Sequence, residues 1–327
     1  MNRAGRDPLD PGRILTAIRE REPAAGRFEG PIHVFESVGS TNTALMALAR
    51  EGAPEGTIVV ADAQSAGRGR FNRGWHSAPG LGLWFSILLR PALAPEEVAP
   101  ITILAGLAVR EAVERTAGIP ARIKWPNDIY VAGRKLAGLL AETATAVPTA
   151  ASPGLPPPLI LGIGVNVNHA ATDFPDELRP RAISIRMASE APDSRPFSRG
   201  DLLAAIVSAL RERYARYLEA GLPVFIPEWN RNALWIGQPV VHAAPDGEHR
   251  GIVMGLDASG GLRIAGDGGK VDLVMAGEIA PAAPASPAPP AAPADSGAPP
   301  AASGAEPAPT DFARSPDGVL RAGGGNG

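Results

Sequence analysis

Cysteine is absent from all 327 residues, which excludes disulfides, thiolate nucleophiles and cysteine-held metals. Long apolar runs are absent too. Leu81–Leu89 is typical of the longest, and a membrane-spanning helix takes about 20 apolar residues. The N-terminal Met1-Asn-Arg-Ala-Gly-Arg-Asp-Pro has no apolar stretch of the signal-peptide kind, so a cytoplasmic chain with no membrane partner is expected. Excess charge of one sign is missing: 31 Lys+Arg stand against 34 Asp+Glu, a formal net charge of −3, so no global positive field draws the chain onto nucleic acid. Aromatics make up only 5% and form no series beside the basic residues, which argues against a nucleic-acid surface and a DNA partner. The five histidines, His33, His76, His169, His242 and His249, show no metal-ligand spacing, and neither a metal site nor a catalytic role is read from them.

What is present is a hydrophobic content of 45%, enough for a real core. Residues 1–29 are polar and Gly-rich, with one short helical pattern around Ile14–Ile18, and read as an N-terminal extension. Alternating β and α signals run from 30 to 232. Strands are expected at Ile32–Glu36, Thr57–Asp62, Leu83–Leu89, Arg122–Trp125, Leu136–Glu142 and Leu159–Val165. Helices are expected from a cap at Ser40 or Thr41 through Arg50, over Glu96–Ala117 closed by Gly118, and over Asp201–Glu219 closed by Gly221. Residues 143–158, rich in Ala, Pro and Thr, read as an extended surface loop. From 233 to 280 short strands separated by Gly, Asp and Ser suggest a small β-barrel of the SH3 kind. The Ala/Pro/Gly-rich stretch 281–327 cannot bury enough surface to offset its chain entropy and is expected to be disordered.

The most informative segment is Gln64-Ser-Ala-Gly-Arg-Gly-Arg-Phe-Asn-Arg-Gly-Trp75, which follows an expected buried strand. Its glycines let backbone N–H groups close around a ligand, and Arg68, Arg70 and Arg73 offer planar forks for carboxylates and phosphates. Taken alone, a short basic run is also a solvated surface, and Trp75 is also a core residue. Three further segments accompany it: Ser40-Thr-Asn42, Lys124-Trp-Pro-Asn-Asp128 with Arg134-Lys-Leu-Ala-Gly138, and Gly162-Ile-Gly-Val-Asn-Val-Asn168. Each has an ordinary structural reading, as a helix cap, a turn, or half a nucleotide fingerprint. Their occurrence together and in this order is what carries weight.

Over residues 30–280 the set resembles the bacterial biotin protein ligases, the biotin–[acetyl-CoA-carboxylase] ligases, most specifically in Gly67-Arg-Gly-Arg70 with Arg73-Gly-Trp75 and in Lys124–Asp128 with Arg134–Gly138. The resemblance implies an α/β (α+β) catalytic domain like that of class II aminoacyl-tRNA synthetases, a mixed sheet flanked by helices, followed by an SH3-like barrel. It implies a two-step reaction in which biotin and ATP give biotinyl-5′-AMP and pyrophosphate, and biotin then passes to a lysine of a biotin carboxyl carrier protein. Bringing two anions together costs about 4 kcal/mol per charge pair at close range in a partly buried site, which arginines, a lysine and Mg²⁺ would offset.

By the same resemblance, Ser40, Thr41, Asn42 and Gln64 would contact biotin, with Gly138 at its side. Arg68, Gly69 and Arg70 would belong to a loop that closes over the ligand and shields the anhydride. Arg70 and Arg73 would serve the phosphates, and Lys135 would bridge the biotin carboxyl and α-phosphate oxygens. Trp75 would lie against adenine and Asn166 would bond nearby. Asp128 would accept the proton of the incoming lysine amine, whose unperturbed pKa is about 10.4. Mg²⁺ would arrive on ATP. The chain departs from the family in three places: about 30 residues precede the first strand, short of an independent DNA-binding domain; the insert 143–158 is an elaboration; and after Gly277-Glu-Ile279 it enters Ala/Pro sequence where some relatives carry a basic residue. A lipoate–protein ligase and a non-catalytic biotin or adenylate sensor are the alternatives, and a monomer or homodimer is expected.

Overall fold

In the strand Gly82–Leu89, Leu83, Phe85, Ile87 and Leu89 point to one side and Trp84, Ser86 and Leu88 to the other, and all are buried. A strand covered on both faces sits mid-sheet. In the computed structural model it is the third of seven. The structure describes residues 9–21, 28, 30–92, 100–143, 156–189, 196–244, 247–266 and 269–282. The large sheet has the order β1-β2-β3-β7-β6-β5-β4, with β1 Ile32–Val38, β2 Ile58–Gln64, β3 Gly82–Leu89, β4 Arg122–Lys124, β5 Asp128–Val131, β6 Arg134–Thr143 and β7 Leu159–Asn166. Only β1 and β2 run parallel; their crossover is helix α2, Thr41–Arg50. The other neighbours are antiparallel.

Helices α1 (Pro11–Arg21), α3 (Ile101–Ala117), α4 (Ile185–Ala188), α5 (Arg199–Ala220) and α6 (Ile226–Asn232) complete the larger part. The expected apolar faces are the buried ones. Ile101, Leu104, Ala105, Ala108 and Ala112 of α3 meet the core, as do Leu202, Leu203, Ile206, Leu210, Tyr214 and Tyr217 of α5. α3 packs along α5, and α1 adds Ile14 and Ile18 to the same layer. The opposite face of the sheet is covered differently. There α2 places Leu45 and Ala49 over Val59, Leu88 and Ile160, so it covers the β2–β3–β7 side only.

A second, antiparallel sheet has the order β11-β10-β9-β8-β12: β8 Pro239–Ala244, β9 Gly247–Leu256, β10 Leu262–Ala265, β11 Val271–Val274 and β12 Ile279–Pro281. It adjoins the large sheet through Leu234 N–H, which donates to Ile123 O, and Trp125 Nε1, which donates to Gly260 O. The expected layout of a mixed sheet with helices and a small C-terminal sheet is the observed one. The differences are local. β5, β12, α4 and α6 were not expected, because runs of three to seven residues are too short to show a period. The α3 pattern was read from Glu96, whereas the described helix begins at Ile101 and 93–99 lie outside the described residues. Most of the surface loop 143–158 (144–155) and the stretch 283–327 also lie outside them. Among the described residues, no helix is long and apolar enough to cross a membrane.

Candidate active site

Side chains on a strand alternate, so Gly138, Leu140 and Glu142 of β6 and Gly162, Gly164 and Asn166 of β7 project to the face that α2 leaves open. Gly138 lies directly opposite Gly164, and Leu140 opposite Gly162. Three glycines leave this part of the sheet without side chains, and two residues from elsewhere occupy the space. A Cβ on Gly138 would stand 2.9 Å from Trp75 Cζ3, and one on Gly164 2.7 Å from Trp75 Nε1, so the indole lies against bare strand backbone. A Cβ on Gly162 would run into the Asn42 amide. Above this floor is a cavity of about 1070 Å³, and it is lined by every residue the sequence singled out: Ser40, Thr41, Asn42, Gln64, Arg68, Gly69, Arg70, Arg73, Trp75, Asp128, Lys135, Gly138 and Asn166.

At one end the start of α2 meets β2 and β3. Ser40 occupies the N-cap position, but its hydroxyl makes no cap bond. Gln64 does that work instead: its Oε1 accepts from Thr41 N–H at 2.8 Å and from Thr41 Oγ1 at 3.2 Å, while its Nε2 donates to Ser77 Oγ at 3.0 Å. Beneath them Ser86, fully buried, bonds Thr41 Oγ1 at 2.7 Å and Asn42 Oδ1 at 2.5 Å. Asn42 Nδ2 donates to Glu142 Oε2 at 2.6 Å. The result is a partly buried, mutually bonded polar cluster whose members are fixed before any ligand arrives. Ser86 and Glu142 were not foreseen, since each sits inside an ordinary strand pattern.

The arginine loop arches over the cavity. Arg68 reaches Glu142 at 3.2 Å, Arg70 donates to Gly277 O at 3.1 Å, and Arg73 pairs with Glu278 at 2.5 Å. Burial pushes the Arg70 guanidinium below its ordinary value, against the opposing pull of Asp128 and Glu278. At the loop's tip Phe71 and Asn72 adopt left-handed backbone, φ 56° and 55°, and Phe71 is 63% exposed. Such strain in non-glycine residues costs about 1–3 kcal/mol and is common in ligand clamps.

Opposite the loop, Lys135 Nζ lies 2.7 Å from Asp128 Oδ1 and 5.2 Å from the Trp75 ring centroid. The Lys135 backbone is held on both sides: its N–H donates to Arg181 O and its carbonyl accepts from Ile183 N–H. Asn166 Nδ2 donates to Ile183 O at 3.1 Å, so in this state its amide fixes the 181–183 segment. Lys124 stands beside Asp128 with its Nζ 5.5 Å from the Tyr130 and Trp235 rings; burial lowers its pKa. Burial, reinforced by Asp128 and Glu278, pushes the Tyr130 phenol up to about 12, which keeps it a neutral donor at physiological pH. Asp128 and Glu278 line the cavity with a cation on each, so this donor set suits a Mg²⁺ held mainly by phosphate oxygens and water rather than a protein cage.

The chain matches the model of the biotin/lipoate A/B protein ligase family over residues 34–151. The biotin–[acetyl-CoA-carboxylase] ligase of Mycobacterium tuberculosis is 31% identical over 281 residues, 84% of this chain and 97% of that protein. The bifunctional ligase/repressor BirA of Bacillus subtilis is 38% identical over 225 residues, 69% of this chain and 66% of that protein, so the match spans just under two thirds of the Bacillus relative. Among solved structures, the biotin protein ligase of Aquifex aeolicus in complex with biotin and ATP superposes with a TM-score of 0.65 at 30% identity, over 77% of this chain and 98% of that one. With this structural match and sequence similarity along nearly the whole of its Mycobacterium relative, the chain belongs to the biotin protein ligase family.

Proposed function

We propose that this protein is an ATP-dependent biotin protein ligase, and the observation that carries the reading is the Lys135–Asp128 ion pair facing the arginine loop across a cavity floored by glycines. In the first step a biotin carboxylate oxygen attacks the α-phosphorus of ATP, the bond to the β-phosphate bridging oxygen breaks, and pyrophosphate leaves. Ser40, Thr41, Asn42 and Gln64 hold biotin's polar ring, and the pre-formed bonds to Ser86 support that role by removing the ordering cost. Lys135 sits between the carboxylate and α-phosphate oxygens; Arg68, Arg70 and Arg73 take the remaining negative charge. A Mg²⁺ ion bound to the triphosphate would neutralise part of that charge. Trp75 offers its face to the adenine, and Gly69 lets the loop backbone close over the adenylate. In the second step the carrier's lysine nitrogen attacks the acyl carbon, the bond to the phosphate oxygen breaks, AMP leaves, and Asp128 accepts the ammonium proton.

The partner we propose is a biotin carboxyl carrier protein, and the reaction's dependence on ATP fits a cytoplasmic setting. The part running from 30 to 232, with its insert at 143–158, is assigned to catalysis and that from 233 to 280 to closing the site. Arg70 and Arg73 support this division, because their partners Gly277 and Glu278 lie beyond the second sheet's β11. The test is ATP- and biotin-dependent labelling of a carrier domain by the full chain, with lipoate in parallel. Biotin-specific labelling is expected. Labelling with lipoate alone would overturn the substrate, and adenylate formation without transfer would make the protein a sensor.

A further inference from the structure

Far along the chain from the arginine loop, the second sheet gathers three ligand-type side chains. His242 of β8 and His249 of β9 are direct cross-strand partners, so both imidazoles project from the same side of the hairpin, with ring centroids 5.3 Å apart. Asp272 comes in from β11 and puts its Oδ2 at 3.8 Å from His249 Nδ1. That distance is too long for a hydrogen bond. One ligand atom from each of the three lies within 4.8 Å of the others, and no other group of three or more His, Asp or Glu does so among the described residues. His242 is 5% exposed, while His249 and Asp272 remain accessible from solvent.

We propose that His242, His249 and Asp272 form a binding site for one divalent transition-metal ion of the zinc class. Two imidazoles and a carboxylate are a donor set such ions favour over Mg²⁺ or Ca²⁺. Zinc–nitrogen and zinc–oxygen bonds of about 2.0–2.2 Å place tetrahedral donors roughly 3.3–3.5 Å apart, so side-chain rotation of an ångström or so closes the present spacing. A water completes the fourth position. Lys270 Nζ sits 3.0 Å from Asp272 Oδ1, the oxygen turned away from His249, and can keep that contact while Oδ2 binds the metal. The ion would clip the β8–β9 hairpin to β11. The chain after β11 supplies Gly277 and Glu278, the partners of Arg70 and Arg73, so the clip steadies one wall of the site. Neither the sequence spacing nor the ligase reading requires this site, and it stands or falls without that reading.

The experiment uses the full chain after chelator treatment. Zn²⁺ is titrated by calorimetry, Co²⁺ serves as an absorption reporter of tetrahedral coordination, and Mg²⁺ is the control. One equivalent of Zn²⁺ is expected, with a melting temperature that rises with free ion concentration and no response to Mg²⁺. His242→Ala risks unfolding the sheet, so the decisive variants are His249→Gln and Asp272→Asn. Each should weaken binding by about 100-fold or more and quench the Co²⁺ bands, while the metal-free melting temperature stays near that of the parent. Absence of binding at micromolar free Zn²⁺, or equal binding by both variants and the parent, would overturn the site.

Discussion

The catalytic assignment turns on two side chains 2.7 Å apart. Lys135→Ala removes the cation we propose to lie between the reacting anions, and biotin-dependent pyrophosphate exchange is expected to fall by roughly 10²–10³. Asp128→Asn keeps shape and removes the proposed proton acceptor. Transfer to the carrier should slow by about 10²-fold or more, and adenylation less, because the main cost to the first step is a looser Lys135. If single-turnover measurements found both steps slowed equally, the base role would go. Gly164→Ala tests the floor. Its Cβ would stand 2.7 Å from Trp75 Nε1, against a rigid indole backed by Trp84, so the ring must move. Overpacking of this kind costs about 1–3 kcal/mol. The ATP KM should rise roughly tenfold or more with the biotin KM little changed, and tryptophan emission should shift.

At the scale of elements, the proposed mechanism assigns product retention to the arginine loop. Its arginines reach the rest of the molecule at a few points: Arg68 to Glu142 and Thr43, Arg70 to Gly277 and Asn127, Arg73 to Glu278. Exposed ion pairs contribute little, about 0–1 kcal/mol, so the loop can open at small cost. The partly buried Arg70 is the exception. Arg70→Gly should let the adenylate escape faster without abolishing its formation, read as free biotinyl-adenylate accumulating in solution. Unchanged retention would remove Arg70 from that role. The loop's chemistry was legible in its residues, because three arginines and three glycines in twelve positions state both charge and pliancy. Its closure was not, since Gly277 and Glu278 lie some two hundred residues away and make contact only when the second sheet packs.

At the scale of the whole molecule, acid should unfold the protein through a residue the chemistry does not use. His169 is fully buried, stacked on Phe174 with centroids 4.7 Å apart and edge-on to Trp84 at 5.9 Å. Burial lowers its pKa to about 4, with His76 adding to the shift and Asp173 opposing it. The folded state therefore keeps the ring neutral, while the unfolded chain takes up a proton near pH 6.5. The stability at stake is fully present above about pH 6.5 and is lost as pH falls from there toward 4, in total on the order of 3 kcal/mol. His169→Gln should flatten that part of the stability curve, as followed by denaturant titration at several pH values.

Sequence by itself determined the fold class, the main strands and helices and the chemical inventory of the site. Those features rest on period, composition and short motifs, all of which are local properties of the chain. The family resemblance also named Thr41, Asn42, Gln64 and Lys135 together, and all four line one cavity. Tertiary structure decided which groups meet. Ser86 looked like one polar position in an apolar strand, and only the docking of α2 turns it into the anchor of Thr41 and Asn42. Gly138 was expected in a strand beside biotin, and Gly162 and Gly164 as half a fingerprint; only the pairing of β6 with β7 makes them a floor on which Trp75 and Asn42 rest. His242 and His249 gained their neighbour Asp272 the same way, through sheet order. The reason is physical: a strand's register and a helix's packing bring distant residues within a few ångströms, and no pattern read along the chain encodes a distance between its parts.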